Sequence, residues 1–200
     1  METNSTREII FKEIVSEIPL NPEKVVYGIS FIAGPGMGKS TVAKKISEKL
    51  NLYITENDRI RRIMEKYGYD GENEHLKLSQ ELSNDRTIYM LENRTSMIID
   101  ANLAFFYQMA LDNFNKYSGK IYFVEINCSE KEILRRIEVR KRDFSNTSSR
   151  ADKDKYFEYR EKIKSKPVPK ELIFYTIDSE KDLDYQIHEL SKKIKDDLNE

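Results

Sequence analysis

The chain has almost no cysteine: Cys128 stands alone among 200 residues. A single thiol cannot close an intramolecular disulfide, so the fold must rest on its own core. Histidine is nearly as scarce, and His75 and His188 fall on helical stretches without Cys or His neighbours, which argues against a zinc site. Long apolar runs are missing as well. No stretch nears 18 residues, and the opening METNSTREIIFKEI is charged where a secretory leader needs an unbroken apolar segment. These absences lead us to expect a cytoplasmic protein with no membrane partner. Charge of one sign is also lacking, since 34 Lys and Arg face 35 Asp and Glu. No global field draws the chain toward nucleic acid or membrane, and any polyanion site must be local.

What is present reads as one domain. Two hundred residues can bury about 70 % of their unfolded surface, enough for a real core. Short apolar or β-branched runs at 25–33, 52–55, 97–100, 120–127 and 171–178 alternate with helix-period stretches near 39–50, 58–66, 74–94, 103–117, 130–142, 152–164 and 181–198. Strands separated by helices require right-handed crossovers, hence an α/β three-layer fold: a five-stranded, mostly parallel sheet with helices on both faces. Ligands on such sheets sit beyond the C-terminal strand ends, which directs attention to the residues just after Ala33, Thr55, Asp100 and Asn127. Before this core, Ser5 and Glu8 have capping-box spacing, and Ile9, Ile10, Ile14, Val15 and Ile18 recur on one helical face before Pro19. We expect residues 1–24 to form a helical extension that packs on the domain at 25–200.

Three of the 7 glycines fall in AGPGMGKST, residues 33–41, between the first strand and the next helix. The pattern from Ala33 to Ser40, a small residue, four others and then Gly-Lys-Ser, is that of a phosphate-binding loop in its required strand-to-helix setting. Gly34, Gly36 and Gly38 let backbone N–H groups turn inward as an anion nest, with Pro35 and Met37 between them. The helix starting near Lys39 adds its positive end, together with the first-turn amide of Thr41. Lys39 can reach the β- and γ-phosphates and Ser40 can offer its hydroxyl to Mg²⁺, so the loop suits ATP and magnesium. Ala33 meets the need for a small residue at the strand end.

At Gly34-Pro35-Gly36-Met37-Gly38-Lys39-Ser40 the chain resembles the P-loop kinases. Within them it is similar to adenylate-kinase-like enzymes, polynucleotide 5′-hydroxyl kinases, zeta-toxin-like kinases and the many small ATP-binding kinases of uncharacterised acceptor. That resemblance implies a P-loop NTPase fold with a small helical lid, placed here at about 136–155, and transfer of the γ-phosphate of ATP to a hydroxyl. Asp58 and Arg61, three residues apart after the second strand, look like the D-x-x-R of this group. There the resemblance implies that Asp58 accepts the proton of the acceptor hydroxyl while Arg61 steadies the acceptor or its phosphate. A helix N-cap is the alternative role for Asp58. Asp100, at the end of SMIIDAN, stands where such kinases meet Mg²⁺, and Asn102 lies close by.

The segment VEINCSEKEILRRIEVRKRDFSNTSSRAD resembles the fourth strand, lid helix and lid of the same group. Arg136 and Arg140, at i and i+4, are then implied to neutralise charge during transfer, with Arg142 and Arg150 flanking the polar run at 143–152. Residues 131–170 hold 14 basic and 7 acidic side chains, the local anion site that the overall balance hides. Glu132 with Arg136 and Glu138 with Arg142 also fit as i,i+4 ion pairs. Tyr156, Phe157 and Tyr159 beside Arg150 and Arg160 fit either base stacking or a half-buried helix face.

The segment Asp100-Ala101-Asn102-Leu103-Ala104 lacks the arginine that adenylate kinases carry there, which weighs against a nucleoside monophosphate acceptor. A nucleotide-dependent switch is the rival from another class. The chain lacks the guanine reader of a GTP switch, since Asn115-Lys116-Tyr117-Ser118 ends in Ser. The acceptor stays open among small hydroxyl compounds and nucleic-acid ends, its pocket being assigned to the 74–94 helix with Glu74, His75, Lys77, Glu81, Asp85 and Arg86. Oligomeric state is not legible.

Overall fold

A computed structural model describes residues 2–69, 73–142 and 153–199. The chain runs α1 (Glu2–Ser16), β1 (Tyr27–Ile32), α2 (Lys39–Leu50), β2 (Tyr53–Glu56), α3 (Asn57–Lys66), α4 (Asn73–Glu92) and β3 (Met97–Asn102). It continues through α5 (Tyr107–Lys116), β4 (Lys120–Asn127), α6 (Glu130–Arg142), α7 (Lys153–Ser165), β5 (Ile173–Asp178) and α8 (Leu183–Asn199), with short 3₁₀ turns at Leu103–Phe105 and Lys170–Leu172. The expected stretch 103–117 divides into the first of these turns and α5. Helix α1 begins at Glu2, upstream of the Ser5 capping signal, and ends three residues before Pro19.

The strands form one sheet in the order β2-β3-β1-β4-β5. Every strand pairing among the described residues is parallel, so the sheet is fully rather than mostly parallel. An isolated antiparallel bridge joins Pro22 to Thr95 outside the strands. Strand β1 is central, and successive connections leave it first toward β2 and β3 and then toward β4 and β5. The connections reverse at β1, and a crevice opens beyond its C-terminal end.

Period-two alternation sorts the side chains onto two layers. On one face Ile29, Phe31, Ile98, Val124 and Ile126 pack with Val42 and Ile46 of α2 and Ile187, Leu190 and Ile194 of α8. On the other face Ile99 and Phe123 pack with Met90 and Leu91 of α4 and Phe114 of α5. Each such side chain, once buried, contributes roughly 1.5–3 kcal/mol. Helix α1 joins through a third cluster, in which Ile10 and Ile14 meet Ile60, Ile63 and Met64 of α3 and Leu82 of α4.

Parallel pairing carries the strand ends forward in near register until β3, where the ladder slips. Ser30 pairs with Ile99 but Phe31 pairs with Asn102, leaving Asp100 and Ala101 unmatched on β1, while Asp100 still pairs with Glu56 of β2. The irregularity lies where β1 gives way to the loop. A bulge of this kind re-aims a side chain at a strand end.

Gly28 marks a close approach inside the sheet, because a Cβ there would lie 2.3 Å from Cζ of the buried Phe114 ring. Replacing Gly28 by Ala should destabilise the protein by about 1–3 kcal/mol through overpacking. Adding Phe114→Leu should recover part of that loss; urea denaturation of both variants checks the coupling, and additive losses would contradict it.

Candidate functional site

The loop after β1 takes its shape from two left-handed glycines, Gly36 at φ 79° and Gly38 at φ 98°. Gly38 is the N-cap of α2 and supplies no side chain to its first turn, so the amides of that turn face outward with the helix dipole behind them. Gly34 is needed for a different reason. A Cβ there would come 2.5 Å from the Tyr159 ring, so α7 lies directly on the loop. A Cβ on Gly36 would sit 3.0 Å from Ile133 Cγ2 and 3.2 Å from the Ile133 carbonyl, so α6 packs there as closely. Within the loop the Met37 amide donates to the Gly34 carbonyl at 3.4 Å, and the Val42 amide of α2 donates to the Gly38 carbonyl at 3.0 Å. Ser40 and Thr41 are exposed at the start of α2.

Lys39 and Asp100 meet at the mouth of the loop. The Lys39 ammonium forms an ion pair with Asp100 Oδ1 and donates to the Asp100 carbonyl at 3.3 Å. Both side chains are sheltered, 22 % and 10 % exposed, which strengthens the pair relative to one in open water. The slip in the β1–β3 ladder falls at Asp100, the residue that meets Lys39. The side chain of Asn102 lies outside the described residues.

One strand further out, α3 begins directly after β2. The Arg61 guanidinium donates to Asp58 Oδ1 at 2.6 Å, with the two side chains 31 % and 53 % exposed. Asp58 does not cap α3, since the N-cap is Glu56 and Asp58 sits within the first turn. Neighbouring parallel strands stand about 4.8 Å apart, so the ends of β2 and β1 are separated by roughly 10 Å across β3. Arg61 helps line a partly open cavity of about 480 Å³ bordered by α1, α3, α4, the end of β3 and α5. Helix α4 supplies much of its wall, including Glu81 and Asp85 from the set assigned to the acceptor pocket. The side chain of Glu74, from the same set, lies outside the described residues.

Sequence reasoning underrated Arg86. It is 2 % exposed, donates to the Glu56 carbonyl at 2.9 Å and to Asn57 Oδ1 at 3.1 Å, and its Nε finds no partner. Ser83 also donates to Asn57 Oδ1, at 2.7 Å. Burial draws the Arg86 pKa down to about 10, which leaves it cationic at neutral pH. The available signal was its place on a buried stripe at four-residue spacing, between Leu82 and Met90, both 0 % exposed.

Arg136 on α6 is held on all sides of its guanidinium. Its Nε donates to Glu132 Oε1 at 2.8 Å, and its terminal nitrogens donate to the Ser179 hydroxyl and carbonyl at 3.0 Å each and to the Met37 carbonyl at 3.4 Å. The expected Glu132 pairing is therefore present, and the same guanidinium ties α6 to the phosphate loop and to the turn after β5. The side chains of Arg140 and Arg142, all of Arg150 and the polar run at 143–152 lie outside the described residues, as does part of the segment assigned to the lid.

The aromatic group on α7 divides. Tyr156 is buried with Ile133 and Ile137, Phe157 stacks under the Arg160 guanidinium at 5.1 Å, and Tyr159 meets Phe105 edge-on at 6.0 Å. Tyr156 thus belongs to a core, and a base-stacking role for the group loses it. Among the described residues no three His, Cys, Asp or Glu side chains gather as a metal cage. A magnesium ion held chiefly by nucleotide phosphates and water needs only one or two protein oxygens. The Ser40 hydroxyl and the Asp100 carboxylate, flanking one loop, fit that donor chemistry. No helix among the described residues is long and apolar enough to cross a membrane.

Residues 31–164 match the family model AAA_33, described as an AAA domain, and the chain belongs to that family. None of the curated proteins matches the sequence. Among solved structures the chain is similar to a candidate kinase from Chloroflexus aurantiacus J-10-fl, with 14 % identity, a TM-score of 0.65 and 86 % of this chain and 99 % of that chain covered. It is similar to the APS kinase of Mycobacterium tuberculosis in complex with AMPPNP and APS, at 16 % identity and TM-score 0.57 over 88 % and 99 % of the two chains. The shikimate kinase of Acinetobacter baumannii in complex with shikimate follows at 17 % and 0.54, over 88 % and 96 %. At these identities the likeness is one of fold, and the fold is that of the P-loop kinases.

The Glu132 carboxyl is held down to about 2, from an ordinary value of 4.5, by its hydrogen bonds from Arg135 and then Arg136. A carboxylate depressed in the folded state stabilises the fold fully above pH 4.5 and loses that contribution as pH falls from 4.5 toward 2. An NMR titration of the Glu132 side-chain carboxyl should show a midpoint near 2. A midpoint at the ordinary glutamate value would mean that Arg136 is not anchored as described.

Proposed function

We propose that the protein is an ATP- and Mg²⁺-dependent phosphotransferase that moves the γ-phosphate of ATP onto a hydroxyl of a small molecule. The observation that carries this reading is the loop from Gly34 to Gly38, whose left-handed glycines lead into the first turn of α2 with no side chain capping it, meeting the Lys39–Asp100 pair at its mouth. Kinship with the AAA domain family and a fold shared with kinases solved with AMPPNP and APS and with shikimate support a nucleotide together with a small acceptor.

The amides of Gly36, Gly38 and the first turn of α2 through Thr41 hold the phosphates, with Gly34, Pro35 and Met37 shaping the turn, and Lys39 neutralises the β- and γ-oxygens. Ser40 and Asp100 would hold Mg²⁺, which when bound offsets charge on the transferring group. Asp58 accepts the hydroxyl proton as the acceptor oxygen bonds to the γ-phosphorus and the bond to the bridging β-oxygen breaks, releasing ADP. Arg61, held by Asp58 beside the cavity, positions the acceptor. Arg136 fixes the loop through the Met37 carbonyl, and Arg140 is left to meet the transferred phosphoryl group. Because such transfer asks mainly for positioning and charge, these groups are sufficient in kind.

Lys39→Met should lower kcat/KM at least about 10²-fold, the usual cost of one charge-stabilising donor. Asp58→Asn should lower kcat by about 10²–10⁴-fold, as for loss of a general base. ATP-consumption assays over hydroxyl-bearing metabolites and 5′-hydroxyl oligonucleotides, with circular dichroism to verify folding, test both. Undiminished turnover by folded Lys39→Met, or ATP hydrolysis independent of every acceptor, would overturn the kinase reading.

A further inference from the structure

The charges that line the cavity beside Arg61 are balanced. Among the described residues that line it, Arg7 and Arg61 are the cations, and each already has a carboxylate. Arg7 of α1 pairs with Asp85 of α4 across the wall, and Arg61 pairs with Asp58 at 2.6 Å. Glu81 adds a further acid, set 4.0 Å from Lys77 on the same helix. An anionic acceptor entering here would meet arginines already paired with carboxylates, and a further acid, Glu81, beside its own lysine. The remaining polar lining is neutral: Asn57, Ser83 and Asn84 among others, with Asn113 donating to Asn84 at 2.8 Å.

The rest of the lining is apolar and partly open. Leu76, Phe106 and Met109 are 45 %, 44 % and 43 % exposed, three of the large hydrophobic side chains that this protein leaves in contact with water. All three border the same cavity. Apolar side chains gathered round one concavity mark a place where an apolar ligand surface is covered. About 480 Å³ lies within the range of small-molecule sites and suits a compound of one or two rings.

We propose, resting on the kinase reading above, that the acceptor is an uncharged amphipathic alcohol of nucleoside or aryl-glycoside size. Its hydroxyl end faces Asp58 and its apolar face lies on α5 and Leu76. Helix α1 takes part in this choice, because Arg7 belongs to the cavity wall and its pairing with Asp85 withholds a cation from anionic compounds. The helix ahead of the phosphate loop is then part of the acceptor site as well as a packing element.

Matched pairs differing in one charge test this on the full chain. Uridine against uridine 5′-monophosphate, and phenyl β-D-glucoside against phenyl β-D-glucuronide, are titrated calorimetrically with and without Mg·AMPPNP. At least one neutral member should bind with a dissociation constant at or below about 1 mM and at least about tenfold more tightly than its anionic partner. Equal or tighter binding of the anionic members, or silence from both neutral members, overturns the proposal. Failure of AMPPNP itself to bind would strike the phosphate loop instead, so the two failures are separable. Asp85→Asn, which frees Arg7, should shift the neutral-to-anionic ratio toward the anions by about tenfold, and Arg7→Gln should shift it the other way. A ratio unmoved in both folded variants removes α1 from the site.

Discussion

A phosphate cradle must present bare amides on one side and be held rigid from the other. Here the support comes from four side chains that bear on the loop from Gly34 to Gly38. Tyr159 of α7 lies on Gly34, Ile133 and Ile137 of α6 lie on Gly36, and Arg136 reaches past Gly38 to the Met37 carbonyl. Without that support, two left-handed residues in five would leave a floppy turn whose amides pointed at solvent in no fixed direction. With it, the loop is braced from behind, which lowers the cost of shaping it on binding. The glycines are therefore required twice, by backbone angle at Gly36 and Gly38 and by close approach at Gly34.

This clamp joins parts that lie far apart in sequence. Helices α6 and α7 bracket residues 143–152 and both press on the loop, while Ser179 after β5 receives two of the Arg136 hydrogen bonds. The turn after β5 is fixed in turn to β4, because the Ser179 amide donates to the Asn127 carbonyl at 2.8 Å and Glu180 accepts from the Ser129 amide at 2.5 Å. A shift of α6 must therefore break a half-buried guanidinium network or carry the loop with it. The network makes Arg136 a positioning residue, a role that its i,i+4 relation to Arg140 did not disclose.

Much of the fold could be read directly because local signals agreed. Each of the five apolar runs became a strand, and the loop motif fell between β1 and α2 as its chemistry requires. What escaped reading was set by long-range packing. Strand order follows from which crossovers bury the most apolar surface, and no local pattern encodes that choice. The slip that leaves Asp100 and Ala101 unmatched on β1 is a property of two strands together. The apolar stripe of α1 was visible, but not that it would bring Arg7 to the cavity while Ile10 and Ile14 docked on α3 and α4. Ion pairs gave partial returns: spacing foresaw Glu132 with Arg136, whereas the Arg7–Asp85 contact spans 78 residues and had no local trace.

Arg86 shows why a residue that offends local rules repays study. Burial opposes its charge, and the start of α3, which it touches through the Glu56 carbonyl and Asn57, is the positive end of a helix dipole. Both effects disfavour a cation there, and an apolar side chain of similar volume would pack at that point of the Leu82–Met90 stripe at no electrostatic cost. What an apolar side chain cannot supply is a planar fork of donors. Two arms of the guanidinium fix a backbone carbonyl and a side-chain amide at the junction of β2 and α3, setting the direction in which the first turn leaves the strand. Asp58 rides on that turn and Arg61 on the one after it. The unfavourable burial of one charge is thus tied to the orientation of another, since the carboxylate beside the cavity can be held in place only if the helix that carries it starts from a fixed point.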